Sequence, residues 1–152
     1  MAIVAPISKF RRTNLIIYIA VCIGIAIYCA YDGYFNTKFI EKHSSDGVPD
    51  STLIFNQKAP PFFTGAAVIL AVYLFTIKNK KLAAEEDELI ISDKEKIAYD
   101  SIRQIDRTYF ESKGYFLITY RGKNGKEVER KISDRQYDNL KAILDHLVAK
   151  IT

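Results

Sequence analysis

Residues 13–31 and 59–77 carry no charged side chain, and each run is 19 residues long. As a helix rising ~1.5 Å per residue, either run is long enough to cross the ~30 Å hydrocarbon core of a bilayer. The overall composition hides this: 49% hydrophobic and 26% charged residues would suit an ordinary soluble protein. The two classes are segregated along the chain, and that argues against a soluble enzyme built round one continuous core. With 152 residues in all, there is room for a membrane anchor and one small domain.

The charges point to a topology. Residues 1–81 hold nine Lys/Arg against four Asp/Glu, giving +5, while residues 82–152 hold thirteen against fourteen, giving −1. The basic excess therefore belongs to the membrane part. It is carried by Lys9, Arg11 and Arg12 before the first apolar run and by Lys78, Lys80 and Lys81 after the second. The polar segment between the runs has three Lys against four acids. The positive-inside rule then places both termini in the cytoplasm and the connector outside. Because lipid-exposed backbone must be helical or closed into a barrel, the expected anchor is a two-helix hairpin. A cleaved signal peptide has an apolar region of only ~7–15 residues and a small-residue cleavage site. Here the apolar run is longer and ends in Tyr31-Asp32-Gly33-Tyr34-Phe35, so the first run is read as a retained span. Cleavage would invert the topology of everything after it.

Small residues recur at four-residue spacing in the hairpin: Ala20 and Gly24, the row Cys22, Ala26 and Ala30, and in the second helix Ala67 and Ala71. Such rows let helix backbones approach closely. They serve either to pack the hairpin on itself or to bind another membrane subunit, and the two roles are compatible. Tyr28, Tyr31, Tyr34, Phe35, Phe62 and Phe63 fit an aromatic belt at the outer interface. Pro60 and Pro61 suit the first turn of the second helix, where a missing N–H costs little. Neither run holds an ionisable residue of the kind that proton relays, ion paths and voltage sensors need at depth, nor a His for axial haem ligation. Cys22 and Cys29 share a helix face about two turns apart, too far for a disulfide and too few for a metal centre. They read as apolar packing residues. In the connector, Gly47 and Pro49 mark a turn, and Glu41, His43, Asp46 and Asp50 read as a solvated polar loop rather than a metal site. The resulting segments are a cytoplasmic tail at 1–12, a first span at 13–35, a connector at 36–58, a second span at 59–78 and a soluble domain at 79–152.

After residue 81 the period of the sequence changes. The acidic run Glu85-Glu86-Asp87-Glu88 is expected to be exposed, with residues 82–87 acting as a linker. Leu89, Ile90 and Ile91 read as a short strand, Ser92-Asp93-Lys94 as a turn, and residues 97–99 as a second strand. Ile102 and Ile105, followed by Tyr109 and Phe110, mark a third. Residues 115–120, rich in aromatic and β-branched side chains, form the clearest strand, with residues 127–132 as its hairpin partner. Asn124-Gly125 suggests a two-residue turn, but that register would put Phe116, Ile118 and Tyr120 on one face with Glu129 and Lys131. A three-residue loop, Lys123-Asn124-Gly125, instead unites Phe116, Ile118, Tyr120, Val128 and Ile132, with Arg130 the one misfit. A one-residue shift flips every side chain, so the apolar pattern selects the three-residue loop, with Gly125 left-handed at a bulge. Ser133 followed by Gln136 reads as a capping box opening a final helix. Its stripe is Tyr137, Leu140, Leu144, Leu147 and Ile151, and His146 beside it reads as a surface residue.

The segments Leu89-Ile90-Ile91, Lys96-Ile97-Ala98-Tyr99-Asp100-Ser101-Ile102-Arg103-Gln104-Ile105 and Gly114-Tyr115-Phe116-Leu117-Ile118, with the closing helix from Ser133, resemble the bacterial pleckstrin-homology-like domain. The resemblance covers roughly residues 82–151. It implies an α+β domain in which an antiparallel curved sheet or partial barrel is capped by one C-terminal helix, here following a membrane α-helical hairpin in a bacterial cytoplasmic membrane. It implies a module for binding or assembly rather than a reaction. Lipid-binding members of the wider superfamily use a basic pocket, whereas here Lys123, Lys126, Arg130 and Lys131 are interrupted by Glu127 and Glu129.

Two functions from different classes follow. The first is a non-enzymatic, membrane-anchored interaction or accessory subunit that assembles with itself or with a larger complex. The second is a binder of anionic lipid, with Lys123, Lys126, Arg130 and Lys131 as the contact residues for lipid or partner. Nucleophile–base pairs, glycine-rich phosphate loops and His/Cys metal spacings are missing from the sequence, so no catalytic residue, metal, cofactor or small-molecule substrate is expected. The soluble part also has no basic stripe for nucleic acid.

Overall fold

A computed structural model describes residues 2–92 and 94–151. In chain order the elements are β1 (Ile3–Pro6), α1 (Lys9–Ala30), a π-helical turn (Tyr31–Phe35), α2 (Thr37–Lys42), β2 (Ser44–Ser45), β3 (Val48–Pro49) and α3 (Ser51–Ile77). These are followed by β4 (Lys81–Ala84), β5 (Glu88–Ser92), β6 (Glu95–Ala98), a 3₁₀ turn (Tyr99–Ser101), β7 (Ile102–Asp106), α4 (Phe110–Lys113), β8 (Tyr115–Arg121), β9 (Glu127–Ser133) and α5 (Leu140–Ile151). The chain divides into two compact units. One runs from Thr13 to Phe75, and the other joins the residues up to Arg12 with those from Thr76 onward.

The first unit is helical. The helices Lys9–Phe35 and Ser51–Ile77 are each 27 residues long and apolar enough to cross a membrane. Only 17% and 11% of their most apolar windows are buried within the protein, so neither is a core helix. Ile16, Ile17, Ile23 and Ile27 on α1 and Val68, Ile69, Val72 and Phe75 on α3 are exposed, whereas Ala26, Cys29, Leu53, Ala59 and Ala67 are buried. The connector, where Gly47 and Pro49 are read as a turn, has structure of its own. It contains α2 and a β2–β3 hairpin whose Asp46-Gly47 turn has φ of +52° and +79°. Both turn residues are left-handed, as a type I′ two-residue hairpin loop requires.

The second helix begins at Ser51, eight residues before the expected start at 59, and Pro60 and Pro61 lie inside it rather than in its first turn. The start is fixed by Asp50, whose carboxylate accepts the Leu53 N–H (2.9 Å) and whose carbonyl accepts the Ile54 N–H (3.0 Å). An N-cap of that kind outweighs the proline signal downstream.

The second unit is α+β, with two open antiparallel sheets and a C-terminal helix. The sheets have strand orders β1-β4-β5-β6 and β7-β8-β9. Its core is Leu82, Ala84, Leu89, Ile97, Phe116, Ile118, Ile132, Ile143 and Leu147, together with Ala5 from the N-terminal strand. The N-terminal segment contributes β1, and the expectation of a linker over 82–87 fails, because β4 runs into it through residue 84. These strands pair as Ile3↔Ala84, Val4↔Ala83, Ala5↔Leu82 and Pro6↔Lys81.

The β8–β9 pairing joins Phe116 to Ile132, Ile118 to Arg130 and Tyr120 to Val128. This is the register the apolar pattern selects. Gly122 and Lys126 close the three-residue loop (2.8 Å), and Gly125 is left-handed at φ +72°. Tyr109 and Phe110 do not extend β7, which ends at Asp106. The Asp106 carboxylate accepts the Thr108 N–H (2.9 Å), and the chain turns into α4, which closes on the left-handed Gly114. Of the turn expected at Ser92-Asp93-Lys94, Asp93 lies outside the described residues, while Ser92 pairs with Glu95.

The final helix begins at Leu140 rather than at Ser133, and no capping box forms. Residues 135–138 are taken up by the N-terminal segment. Gln136 accepts the Ser8 N–H (3.0 Å), Asp138 donates its N–H to the Pro6 carbonyl (2.9 Å), and Tyr137 makes a β-bridge with Ile7. Asn139 is left-handed at φ +59°, which separates that segment from the helix.

Candidate functional site

Two regions concentrate polar interactions. The first lies in the helical unit, where α1 runs on into the π-helical turn. Pro61 has no N–H, so it leaves the carbonyl of Gln57, four residues earlier, without its helical donor. The Tyr34 hydroxyl donates to that carbonyl at 2.7 Å, and Gln57 Nε2 donates to the Gly33 carbonyl at 3.2 Å. A Cβ on Gly33 would lie 2.9 Å from the carbonyl carbon and oxygen of Asn56. Only glycine permits this approach. Asp32, 5% exposed, accepts from Asn36 Nδ2 at 2.8 Å, and the Asn36 carboxamide oxygen caps α2 through the Phe39 N–H.

In the connector, His43 Nδ1 is 2.7 Å from Asp50 Oδ2, and the His43 ring packs on Phe39. The Asp50 carboxyl is held below its usual value, first by the Leu53 N–H and then by His43. Among Glu41, His43, Asp46 and Asp50, the structure thus joins only His43 and Asp50.

The second region is the root of the hairpin. Residues 7 and 8 alone separate β1 from α1, residues 78–80 alone separate α3 from β4, and β1 and β4 are hydrogen-bonded neighbours. Both basic clusters, Lys9, Arg11 and Arg12 and Lys78, Lys80 and Lys81, therefore flank one ladder. Ser8 is the hub. Its hydroxyl donates to the Arg135 carbonyl (2.6 Å) and accepts the Arg11 N–H (3.2 Å), while the Lys9 N–H reaches Asp138 Oδ2 at 3.1 Å. Burial raises the Tyr137 hydroxyl above its ordinary range, with Arg130 and Arg11 pulling the other way. The basic clusters were legible in the sequence, but the Ser8 hub was not, because Ser8 and Arg135 lie 127 residues apart.

At the other end of β4 the acidic run turns back through Glu85 and Glu88. Tyr99 Oη donates to the Glu85 carbonyl (2.7 Å), and His146 Nε2 lies 3.2 Å from the same oxygen. Burial, followed by the charges of Glu85, Asp87 and Glu88, pushes the Tyr99 hydroxyl up to about 12. His146 is half-buried there, edge-on to Tyr99.

The residues nominated for partner or lipid contact are not gathered into one cluster. Lys123 and Lys126 lie at the exposed β8–β9 turn. Arg130 pairs with Glu95 (2.9 Å), and Lys131 Nζ lies 3.8 Å above the Tyr115 ring, which stacks on Tyr109. In the small-residue rows, Ala26 and Ala67 are buried and Ala71 is half-buried, whereas Ala20 and Gly24 are exposed. Of the residues read as an aromatic belt, Tyr28, Tyr31, Tyr34, Phe35 and Phe62 are exposed and Phe63 is half-buried.

No family model, no curated protein and no solved structure matches the chain.

Proposed function

We propose that the protein is an integral membrane protein of the bacterial cytoplasmic membrane. In this reading, a helical hairpin anchors a small pleckstrin-homology-like domain at the cytoplasmic face as a non-enzymatic interaction or scaffold subunit. The observation that carries it is the pair of long helices with apolar, exposed flanks, since a helix apolar all round must be buried in protein or in lipid. The β1–β4 ladder supports placing both termini on one side, because strands paired in one sheet cannot lie on opposite faces of a bilayer. The basic residues flanking that ladder support the cytoplasmic side.

The antiparallel sheets and closing helix agree with the pleckstrin-homology-like reading, with the N-terminal strand as an addition. The exposed small-residue pair Ala20 and Gly24 supports assembly with a second copy or another membrane subunit, since small residues favour close helix contacts.

The test is carbonate extraction, then protease treatment of right-side-out and inverted vesicles, then size measurement after mild detergent extraction. The reading expects a carbonate-resistant chain cleaved in its C-terminal domain only in inverted vesicles, and a particle larger than the monomer. Release by carbonate, or C-terminal cleavage from the outside, overturns it. A bare monomer with no co-purifying protein counts against the scaffold role.

A further inference from the structure

The outer face of the first sheet holds a groove at the root of the hairpin. Val4, Ala83 and Ile90 are successive ladder partners and so share one face of the sheet. Ala5, Leu82 and Leu89 point to the other face and into the core. Val4 is 40% exposed and so open to the groove. The groove has a volume of about 440 Å³ and is walled by Thr76, Asn79, Lys80 and Lys81, with Glu85 beyond the other end of β4. That size falls in the ~300–1,000 Å³ range of sites that hold small organic groups.

We propose that this groove holds the headgroup and glycerol backbone of an anionic phospholipid. Three observations fix the occupant. Thr76 belongs to the last turn of α3, so one wall of the groove is the end of an apolar helix. The proposal rests on reading that helix as a membrane span, and a span puts its last turn among lipid headgroups. The polar wall is cationic: Lys80 and Lys81 line the groove and are exposed, and Lys78 lies two residues away. Lysine ammonium groups are compact point charges suited to a phosphate. The floor is apolar, which suits the carbon-rich part of a lipid and not a free inorganic anion. This place is distinct from the exposed β8–β9 turn that carries Lys123 and Lys126.

The test uses the full chain purified in mild detergent and native mass spectrometry with phosphatidylglycerol, phosphatidylethanolamine and phosphatidylcholine of equal chain length. The wild type should retain phosphatidylglycerol at least several-fold over the other two. Lys80→Gln with Lys81→Gln should reduce that binding about thirtyfold, the product of the contributions of two lysines near an anionic surface. Lys123→Gln with Lys126→Gln should leave it unchanged, and free glycerol phosphate should not compete. The proposal is overturned by equal retention of all three lipids, by a preference for phosphatidylethanolamine seated on Glu85, by full binding in the Lys80/Lys81 variant, by loss in the Lys123/Lys126 variant, or by effective competition from glycerol phosphate. Carbonate extraction of the Lys80/Lys81 variant separates the two claims. A variant still held in the membrane but without lipid preference supports the groove, whereas release by carbonate overturns the anchor itself.

Discussion

Tyr34 donates its hydroxyl, at 2.7 Å, to the one carbonyl of α3 that Pro61 leaves without a helical partner, that of Gln57. Two consecutive prolines inside a 27-residue helix would ordinarily cost several kcal/mol, through lost hydrogen bonds and ring clashes. Where a neighbouring segment re-satisfies the freed backbone, the cost falls.

The pairing can be measured by a double-mutant cycle. Tyr34→Phe should lower the stability of the full chain in detergent by about 1 kcal/mol, the usual net worth of one hydrogen bond. In a Pro61→Ala background the helix supplies its own donor to Gln57, so the same Tyr34→Phe change should cost much less. Equal costs in both backgrounds, read from thermal or denaturant unfolding, would show that Tyr34 acts independently of the proline.

The strand β1 yields a second prediction. Ala5 is 0% exposed and pairs with Leu82, also 0% exposed. Ala5→Asp would bury an unpaired carboxylate, a change that costs several kcal/mol unless the group neutralises or the strand detaches. The C-terminal domain should then become protease-sensitive while the hairpin stays carbonate-resistant. Unchanged resistance of the domain would mean that its sheet does not depend on the N-terminal strand.

That strand also marks the limit of what the sequence reveals. The long apolar runs, the β8–β9 register and the apolar face of α5 are legible because each repeats its signal over many residues. Ile3-Val4-Ala5-Pro6 and Lys81-Leu82-Ala83-Ala84 are four-residue strands, rich in alanine and proline, which are poor strand formers. What makes them strands is their pairing across some 75 residues of intervening chain, and no local pattern encodes it. The start of α5 is hidden for the same reason. Ser133 and Gln136 have the spacing of a capping box, but Pro6 and Ser8 claim the backbone of residues 135–138 first. The root of the hairpin and the groove beside β4 therefore depend on tertiary contacts throughout.

Two glycines with similar backbone angles should respond differently to substitution. Gly125 has φ +72° with nothing near a would-be Cβ, so Gly125→Ala should cost only the left-handed strain, about 1 kcal/mol. Gly114 has φ +69°, and its Cβ would collide with the Asp134 carboxylate. Gly114→Ala should therefore cost more than Gly125→Ala, and adding Asp134→Ala should bring the two costs together. If Gly114→Ala is the milder change in denaturant unfolding, the close approach of Asp134 is not a feature of the folded domain.

Acid should act on the start of α3. Because the Asp50 carboxyl is held below its ordinary value by the Leu53 N–H and by His43, its ionised form favours the folded cap. A group with a depressed folded pKa contributes stability that is fully present above the unfolded value, here near 3.8, and lost as the pH falls through the folded one. Residues 51–58 should thus be protected from hydrogen exchange at pH 5 and lose protection progressively below about pH 4. Asp50→Asn should flatten that dependence. The unwinding should stop near Pro60, where a proline suits a first helical turn, so that acid draws the helix start back to the position its sequence alone suggests. Exchange that is uniform along α3, or unaltered by Asp50→Asn, would mean that the cap does not set where the helix begins.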